Sequence, residues 1–413
     1  MLDVTTRVLV VIGTRPEAIK LAPVVRAARA AGFDVQVCVT GQHREMLRPV
    51  LELFDIAPDH DLDLMTPGQT LSRLTSAALE GTTGVIEKCK PSWVIVQGDT
   101  TTALAAALAA FYAGVPVGHV EAGLRTNDKR QPFPEEANRR MVDDLSDLHF
   151  APTERARANL IREGHSGATL RVTGNTGIDA LRYAISLDYE IARGPLAAIP
   201  RDRRIVLVTA HRRESFGDGI VAICRALERL VGETDDIQVV YPVHLNPNVQ
   251  DPVRARLSDN ERITLLPPLD YMSLIQLMRA STLILTDSGG IQEEAPSLGR
   301  PVLVLREVTE RPEAVEAGCA RLIGTNESRI VREARRLLED DAAYQRMAHV
   351  ANPFGDGHAS ERIVDALRFA PAHSNGELAN GELAPLPHMS TPDFTWAPIG
   401  AMPAGPANGD GQA

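Results

Sequence analysis

Short runs of aliphatic and β-branched residues recur along this chain at 8–12, 35–40, 93–97 and 115–120, then at 205–209, 237–243, 263–266, 283–286 and 301–305. Helix-patterned segments separate them. Uninterrupted apolar runs, rather than alternating ones, are the pattern of strands covered on both faces, so the alternation predicts parallel α/β sheets. A polar bridge from Asp179 to Arg204, with Pro195 and Pro200, parts the two sets of strands. The expected fold is α/β, with two Rossmann-like domains, residues 1–180 and 181–350, facing a cleft. Ligands of such sheets bind beyond the carboxyl ends of the strands. The stretch 100–120 has no charged residue and is long enough to span a bilayer, but it is Ala-rich and broken by Gly114 and Pro116. It reads as a buried helix followed by a strand.

The most informative strand end is 283–294. There an apolar run empties into Thr286-Asp287-Ser288-Gly289-Gly290 and a helix carrying Glu294. The first amides of a helix lack intrahelical partners, and two glycines let a phosphate approach the backbone. Glu294, about one turn deeper, is placed to accept from ribose hydroxyls. Ser288 acting only as an N-cap is the plainer alternative.

Other strand ends carry further candidates. After the first strand, Gly13-Thr14-Arg15-Pro16-Glu17-Ala18-Ile19-Lys20 puts Arg15 and Lys20 where both can face an anion, or where both are simply surface cations. It is not a Walker loop, and no GxGxxG follows a strand, so ATPase, nicotinamide and flavin chemistry lack support. Asp99, Glu121 and Glu135 stand at strand ends or in a Pro-flanked loop. Carboxylates with separated pKa values suit removal and return of an unactivated proton. The structural alternative is helix capping by Asp99 and pairing of the glutamates with Arg125 or Arg139. His211 follows a strand of the second half and suits a diphosphate; of Arg212 and Arg213 beside it, either could fork onto phosphate while the other points elsewhere; His244 repeats the placement of His211, or is simply a core hydrogen-bonder.

Composition narrows the class. A chain of 413 residues exceeds a single ordinary core, and 43 basic against 54 acidic residues leave a net charge of −11, which argues against nucleic acid as a partner. The four cysteines form no CxxC pair, the N-terminus lacks a signal peptide's layout, and no HExxH or clustered ligand signature appears. A cytoplasmic protein with no essential metal or cofactor and no membrane partner is expected. From 371 the chain has no Lys or Arg, is rich in Pro and Gly, and repeats Asn-Gly-Glu-Leu-Ala at 375–379 and 380–384. A disordered tail over 371–413 is expected.

Taken in order, GTRPEAIKLAPV (13–24), TGQHREML (40–47), GDTTTALA (98–105), GHVEAGLRT (118–126), FPEEANRR (133–140), TGNTGIDAL (173–181), TAHRRESFG (209–217), YPVHLNPNV (241–249) and LTDSGGIQEEAPSLGRPVLVLREVTERPEA (285–314) resemble the bacterial non-hydrolysing UDP-N-acetylglucosamine 2-epimerases. The resemblance spans about residues 7–370. It implies a glycosyltransferase-B type fold whose closing helix, within 351–370, returns to the first domain. The implied activity is reversible interconversion of UDP-GlcNAc and UDP-ManNAc for cell-surface polysaccharide, by elimination of UDP to 2-acetamidoglucal and re-addition. Carried over by position, Asp99, Glu121 and Glu135 would be acid/base groups and His211 would support the diphosphate. Arg15, Lys20, Ser288, Gly289, Gly290, Glu294 and Arg311 would hold substrate. Gln42, Gln69, Glu136, Arg212 and His244 match positions near a second, activating UDP-GlcNAc, and a homodimer is implied. A glycosyltransferase of the same fold using a UDP-sugar, and a hydrolysing epimerase releasing ManNAc and UDP, are the alternatives.

Overall fold

The computed structural model describes residues 6–41, 44–66, 68–190 and 194–369. Gln42 and the 371–413 segment lie outside the described residues. The chain divides into two compact units. One takes in the described residues up to Gly194, with Leu269–Ile275 and residues 353–369; the other comprises Pro195–Pro268 and Gln276–Asn352.

In the first unit the order is β1 (Arg7–Ile12), α1 (Arg15–Ala30), β2 (Asp34–Val39), α2 (Arg44–Leu53), β3 (His60–Asp61), α3 (Leu71–Cys89), β4 (Trp93–Gln97), α4 (Thr101–Tyr112), β5 (Val117–Val120), α5 (Glu135–Leu145), β6 (Leu148–Ala151), α6 (Glu154–Arg162), β7 (Leu170–Val172) and α7 (Thr176–Ser186). Its seven strands are all parallel, in the order β3-β2-β1-β4-β5-β6-β7. The chain winds outward in one direction from β1, then crosses back to β4 and winds in the other. The gap between the helices leaving β1 and β4 is the switch point of this sheet.

The chain continues with β8 (Arg204–Thr209), α8 (Asp218–Glu233), β9 (Ile237–Pro242), α9 (Pro247–Leu257), β10 (Ile263–Leu266), α10 (Tyr271–Ala280), β11 (Ser281–Thr286), α11 (Gly289–Glu294), β12 (Val302–Val304), α12 (Pro312–Ala317), β13 (Ala320–Leu322), α13 (Glu327–Glu339), α14 (Asp341–Ala348) and α15 (Ala359–Phe369). The second sheet is also parallel, in the order β10-β9-β8-β11-β12-β13, with its switch point between β8 and β11. Strands β8, β9 and β11 are buried almost throughout, and α8 and α13 close one large apolar cluster over them.

The alternating pattern located the long central strands. It missed β3, β6, β7 and β13, each of which carries His or Arg among only two to four residues, so no uninterrupted apolar run marks it. It also began β5 early: the Val115 amide donates to Ala110 O, 2.9 Å, so Val115 finishes the turn that ends α4. The uncharged stretch does form a helix and then a strand, and the alanines of α4 are buried against the sheet. Among the described residues no helix is long and apolar enough to cross a membrane.

Helix α15 packs on α1 and α7. Its first turn is capped from a distance: Asp179 of α7, itself buried, accepts from Ala359 N at 3.2 Å and Ser360 N at 2.7 Å. That carboxylate supplies acceptors for helix amides that would otherwise be orphaned.

At the first switch point the β1–α1 turn is pressed against α4. A Cβ on Gly13 would lie 2.4 Å from Thr102 Oγ1 and 2.6 Å from Thr102 Cβ. Only glycine fits there. Gly13→Ala is expected to cost about 1–3 kcal/mol by overpacking, read as a lower thermal or urea midpoint; an unchanged midpoint would mean that the two turns separate easily.

Candidate active site

The first switch point gathers acids and cations around the ends of β1, β4 and β5. Glu121 follows β5 with φ 67°, a left-handed conformation that costs a non-glycine residue of order 1 kcal/mol or more. Three contacts hold it there. Its amide donates to Phe150 O at 3.0 Å, Lys20 Nζ lies 2.6 Å from Oε2, and Gln97 Nε2 donates to the same oxygen. Glu121 is nearly buried, so the Lys20 charge is screened little by solvent. Lys20 thus serves a carboxylate directly, while Arg15, half-buried, has no ion pair among the described residues.

Asp99 leaves the neighbouring strand β4 and is paired with Arg139 of α5. Asn138 of the same helix donates to Asp99 O at 2.9 Å. Asp99 does not cap α4; Thr100 does, accepting from Ala103 N at 3.0 Å. Arg139 therefore pairs with Asp99 and Glu136 rather than with Glu121 or Glu135, and Arg125 pairs with Asp143 and Glu163 instead. Glu135, the first residue of α5, is half-buried, and its Oε2 is buried with no hydrogen-bond partner among the described residues. Such an oxygen is costly unless a ligand satisfies it.

Glu136 faces the other way. It is fully buried, accepts from the amides of Thr126 at 3.0 Å and Asn127 at 3.1 Å, and pairs with Arg139 at 3.2 Å. Its carboxylate anchors the loop that delivers α5. Gln69 sits in the loop before α3, half-buried, with its amide donating to Thr66 O at 3.2 Å.

Beneath these groups lies a buried ionic chain. His119 of β5 holds Asp143 Oδ1 at 2.6 Å through Nδ1 and Gly98 O at 2.8 Å through Nε2. Arg125 takes the other oxygen of Asp143 at 2.6 Å. Burial alone pushes the Asp143 carboxyl up, but His119 and Arg125 pull it down to about 2. Gly98, at φ 70°, is thereby fixed from behind, and with it the direction in which Asp99 leaves the strand.

Glu17 was quoted in a motif but not singled out. It is 1% exposed, accepts from Thr100 Oγ1 at 2.8 Å, and leaves Oε2 with no hydrogen-bond partner among the described residues. Thr14-x-x-Glu17 is the spacing of a capping box, a signal legible in the sequence. Burial raises its carboxyl to about 7, and the nearby Asp99 charge adds to the effect.

The second switch point is built around Asp287, also missed. It is fully buried between the ends of β11 and β8, and Oδ2 accepts from the amides of His211 at 2.6 Å and Arg212 at 2.7 Å. His211 Nδ1 faces Oδ1 at 3.2 Å. The His211 ring stacks on His244, centroids 5.4 Å apart and planes 11° apart. Arg212 is half-buried, with Nε buried and without a hydrogen-bond partner among the described residues. Ser288 is the N-cap residue of α11 but its hydroxyl makes no cap bond, so the plain capping alternative is not what the side chain does. A Cβ on Gly290 would meet nothing within 4 Å, whereas one on Gly289 would touch Arg311 Cζ at 3.5 Å. Arg311 is held over the turn by buried Glu293 at 2.5 Å. Glu294 ends α11, half-buried.

Two doubly wound units, one with carboxylates and the other with a glycine turn, histidine and arginine at its switch point, define the glycosyltransferase-B class of fold. A glycotransferase of kitacinnamycin, 12% identical at TM-score 0.59 over 88% of this chain and 98% of its own, shares that fold alone. The family model for UDP-N-acetylglucosamine 2-epimerase matches residues 26–368. A probable UDP-N-acetylglucosamine 2-epimerase of Ralstonia nicotianae is 55% identical over 88% of this chain and 98% of its own length. The UDP-N-acetylglucosamine 2-epimerase of Escherichia coli is 53% identical with the same coverage. The Neisseria meningitidis UDP-GlcNAc 2-epimerase, solved bound to UDP-GlcNAc, is 46% identical with TM-score 0.80, covering 88% of this chain and 100% of that one. The chain belongs to the UDP-N-acetylglucosamine 2-epimerase family.

Glu17 generates a pH prediction. Its carboxyl is raised in the fold from 4.5 to about 7, so its contribution to stability is fully present below pH 4.5 and is lost as pH rises through about 7. Glu17→Gln is expected to flatten the fall in the unfolding midpoint across that window; an identical pH dependence in both proteins would refute the assignment.

Proposed function

We propose that the protein interconverts UDP-GlcNAc and UDP-ManNAc without releasing free sugar. In the forward direction a base removes the C2 proton, the C–H electron pair forms the C1=C2 bond, and the C1–O pair departs with the UDP β-phosphate. Returning the proton to the opposite face of C2 and UDP to C1 gives the epimer. The C2 proton is barely acidic, so the barrier falls mainly by stabilising the departing diphosphate and by pairing a base with an acid on opposite sides of the ring.

The residues divide between these tasks. Asp99, Glu121 and Glu135 handle the C2 proton and its return; Lys20 pairs with Glu121 and Arg139 with Asp99, and Glu135 offers an oxygen that has no hydrogen-bond partner among the described residues. His211, Ser288, Gly289, Gly290 and Arg311 hold the diphosphate, Glu294 the ribose, and Arg15, which has no ion pair among the described residues, the substrate's anionic part. The observation that carries the reading is the supported Glu121: a carboxylate kept in a strained backbone conformation with a lysine on one oxygen, at the end of the strand beside Asp99. Simple ion pairing would not require the strain. A glycosyltransferase would need an acceptor site instead of convergent acids.

The same reading extends to a second UDP-GlcNAc as activator, near Gln42, Gln69, Glu136, Arg212 and His244, and to a homodimer, for which exposed Phe111 and Tyr112 on α4 offer apolar surface. Glu136 would act there through the loop it anchors. Its free, buried cysteines suit the cytoplasm, where the product would supply cell-surface polysaccharide.

Proton NMR with UDP-GlcNAc in deuterated water is expected to show UDP-ManNAc carrying deuterium at C2. Accumulating ManNAc would instead identify a hydrolysing enzyme, and no exchange despite UDP-GlcNAc binding would favour a transferase. Asp99→Asn and Glu121→Gln should each lower kcat by roughly 10²- to 10⁴-fold while UDP still binds; turnover near the wild-type rate in both would remove these carboxylates from the chemistry.

A further inference from the structure

The stacked pair His211 and His244 poses an electrostatic question. Two imidazolium rings 5.4 Å apart repel, and two neutral rings would leave no imidazolium to share the charge of a departing diphosphate with the arginines. Their hydrogen-bond surroundings differ. The amide of Asn246 donates to His244 Nδ1 at 3.1 Å, so that nitrogen carries a lone pair and the ring's proton is on Nε2. His211 Nδ1 instead faces Asp287 Oδ1 at 3.2 Å, an oxygen that is buried and has no hydrogen-bond partner among the described residues. The ring nitrogen is the group placed to donate to it.

Building on the proposed epimerase reading, we propose that Asp287 is the positioning residue for His211. It keeps that ring cationic with Nδ1–H towards its carboxylate and Nε2–H free for the diphosphate, while the Asn246 amide keeps the stacked His244 neutral. Asp287 is suited to the task because it couples the two ends of the phosphate site. Its other oxygen pins the amides of His211 and Arg212, and its backbone leads directly into Ser288 and the glycine turn. The turn and the ring therefore cannot shift independently. Burial raises the Asp287 carboxyl, but His211 and the amides of Arg212 and His211 more than offset it, so the group stays below its ordinary value and ionised. His244 is shifted down, first by burial and then by the His211 charge, in keeping with a neutral partner. The other titratable group packed here is Tyr241 of β9, whose hydroxyl donates to Ala210 O at 2.8 Å and is pushed up by burial, so it stays neutral. On the His211 loop itself, Arg212 supplies a fixed cation.

The role differs from a merely structural anchor in its pH signature and in its coupling to His211. Asp287→Asn presents an NH2 group to Nδ1, which favours a neutral ring, so kcat is expected to fall about a hundredfold with KM and UDP affinity changed only a few-fold. The high-pH limb of kcat should move to lower pH. In a His211→Gln background the same change should cost no more than about twofold, since there is no ring left to hold. An unmoved pH limb, or the full hundredfold loss in the His211→Gln background, would overturn the proposal. A readout independent of turnover separates it from the epimerase reading: ring-15N NMR of wild-type protein with UDP should show both His211 nitrogens protonated and only one in His244. Should Asp287→Asn not fold, that spectrum decides alone, and a neutral His211 with UDP bound refutes the role whatever the enzyme's substrate proves to be.

Discussion

A parallel sheet wound in both directions must leave a gap where the strand order reverses, and in this chain everything of chemical interest hangs on that constraint. In the first unit the reversal lies between β1 and β4, and in the second between β8 and β11. Helices leaving the two central strands diverge, so the turns that follow them are not covered by neighbouring helices of the same sheet. Arg15, Lys20 and Asp99 follow one pair of strands; His211, Asp287 and Ser288 follow the other. The same topology that buries the strands on both faces also aligns their carboxyl ends, so side chains remote in sequence arrive on one edge.

Exposed backbone ends and buried charges would be expensive there without compensation, and the compensation is of one kind in both units. A fully buried carboxylate sits beneath each site with its oxygens divided between a histidine and other donors. Asp143 is shared between His119 and Arg125, and Asp287 between two loop amides and His211. Removing either would strand donors in a dry setting, where an unpaired group costs far more than at the surface. The difference is in what the histidine does next. His119 spends its second nitrogen on Gly98 O, inside the protein, whereas His211 is partly exposed and keeps its second nitrogen for solvent or ligand.

How much of this was legible in sequence follows from the range of each signal. The long central strands and the helix over the alanine stretch were readable because burial on both faces writes an uninterrupted apolar run into the chain. Residues of the glycine turn, the strand-end acids and His211 were readable because residue type and position at a strand's end already constrain their chemistry. Asp287 and Asp143 were not, since a buried aspartate is recognisable only by its donors, and those of Asp287 lie 75 and 76 residues away in sequence. Glu17 was hidden differently: its capping-box spacing was visible, but its burial under Thr100 depends on α4 packing across the switch point. The pairing of Arg139 with Asp99 instead of Glu121 or Glu135 likewise depends on where α5 begins its first turn.

The acids that remain around the first switch point can then be ranked by how much of their hydrogen-bonding capacity the protein itself uses. Glu136 is consumed entirely, by two amides and Arg139, and can change nothing in a ligand except through its loop. Glu121 gives one oxygen to Lys20 and Gln97, and Asp99 gives one to Arg139. Glu135 has a buried oxygen with no hydrogen-bond partner among the described residues. This unequal distribution of partners around otherwise similar side chains is set by α5, where Glu135 supplies that oxygen, Glu136 the loop anchor and Arg139 the cation paired with Asp99.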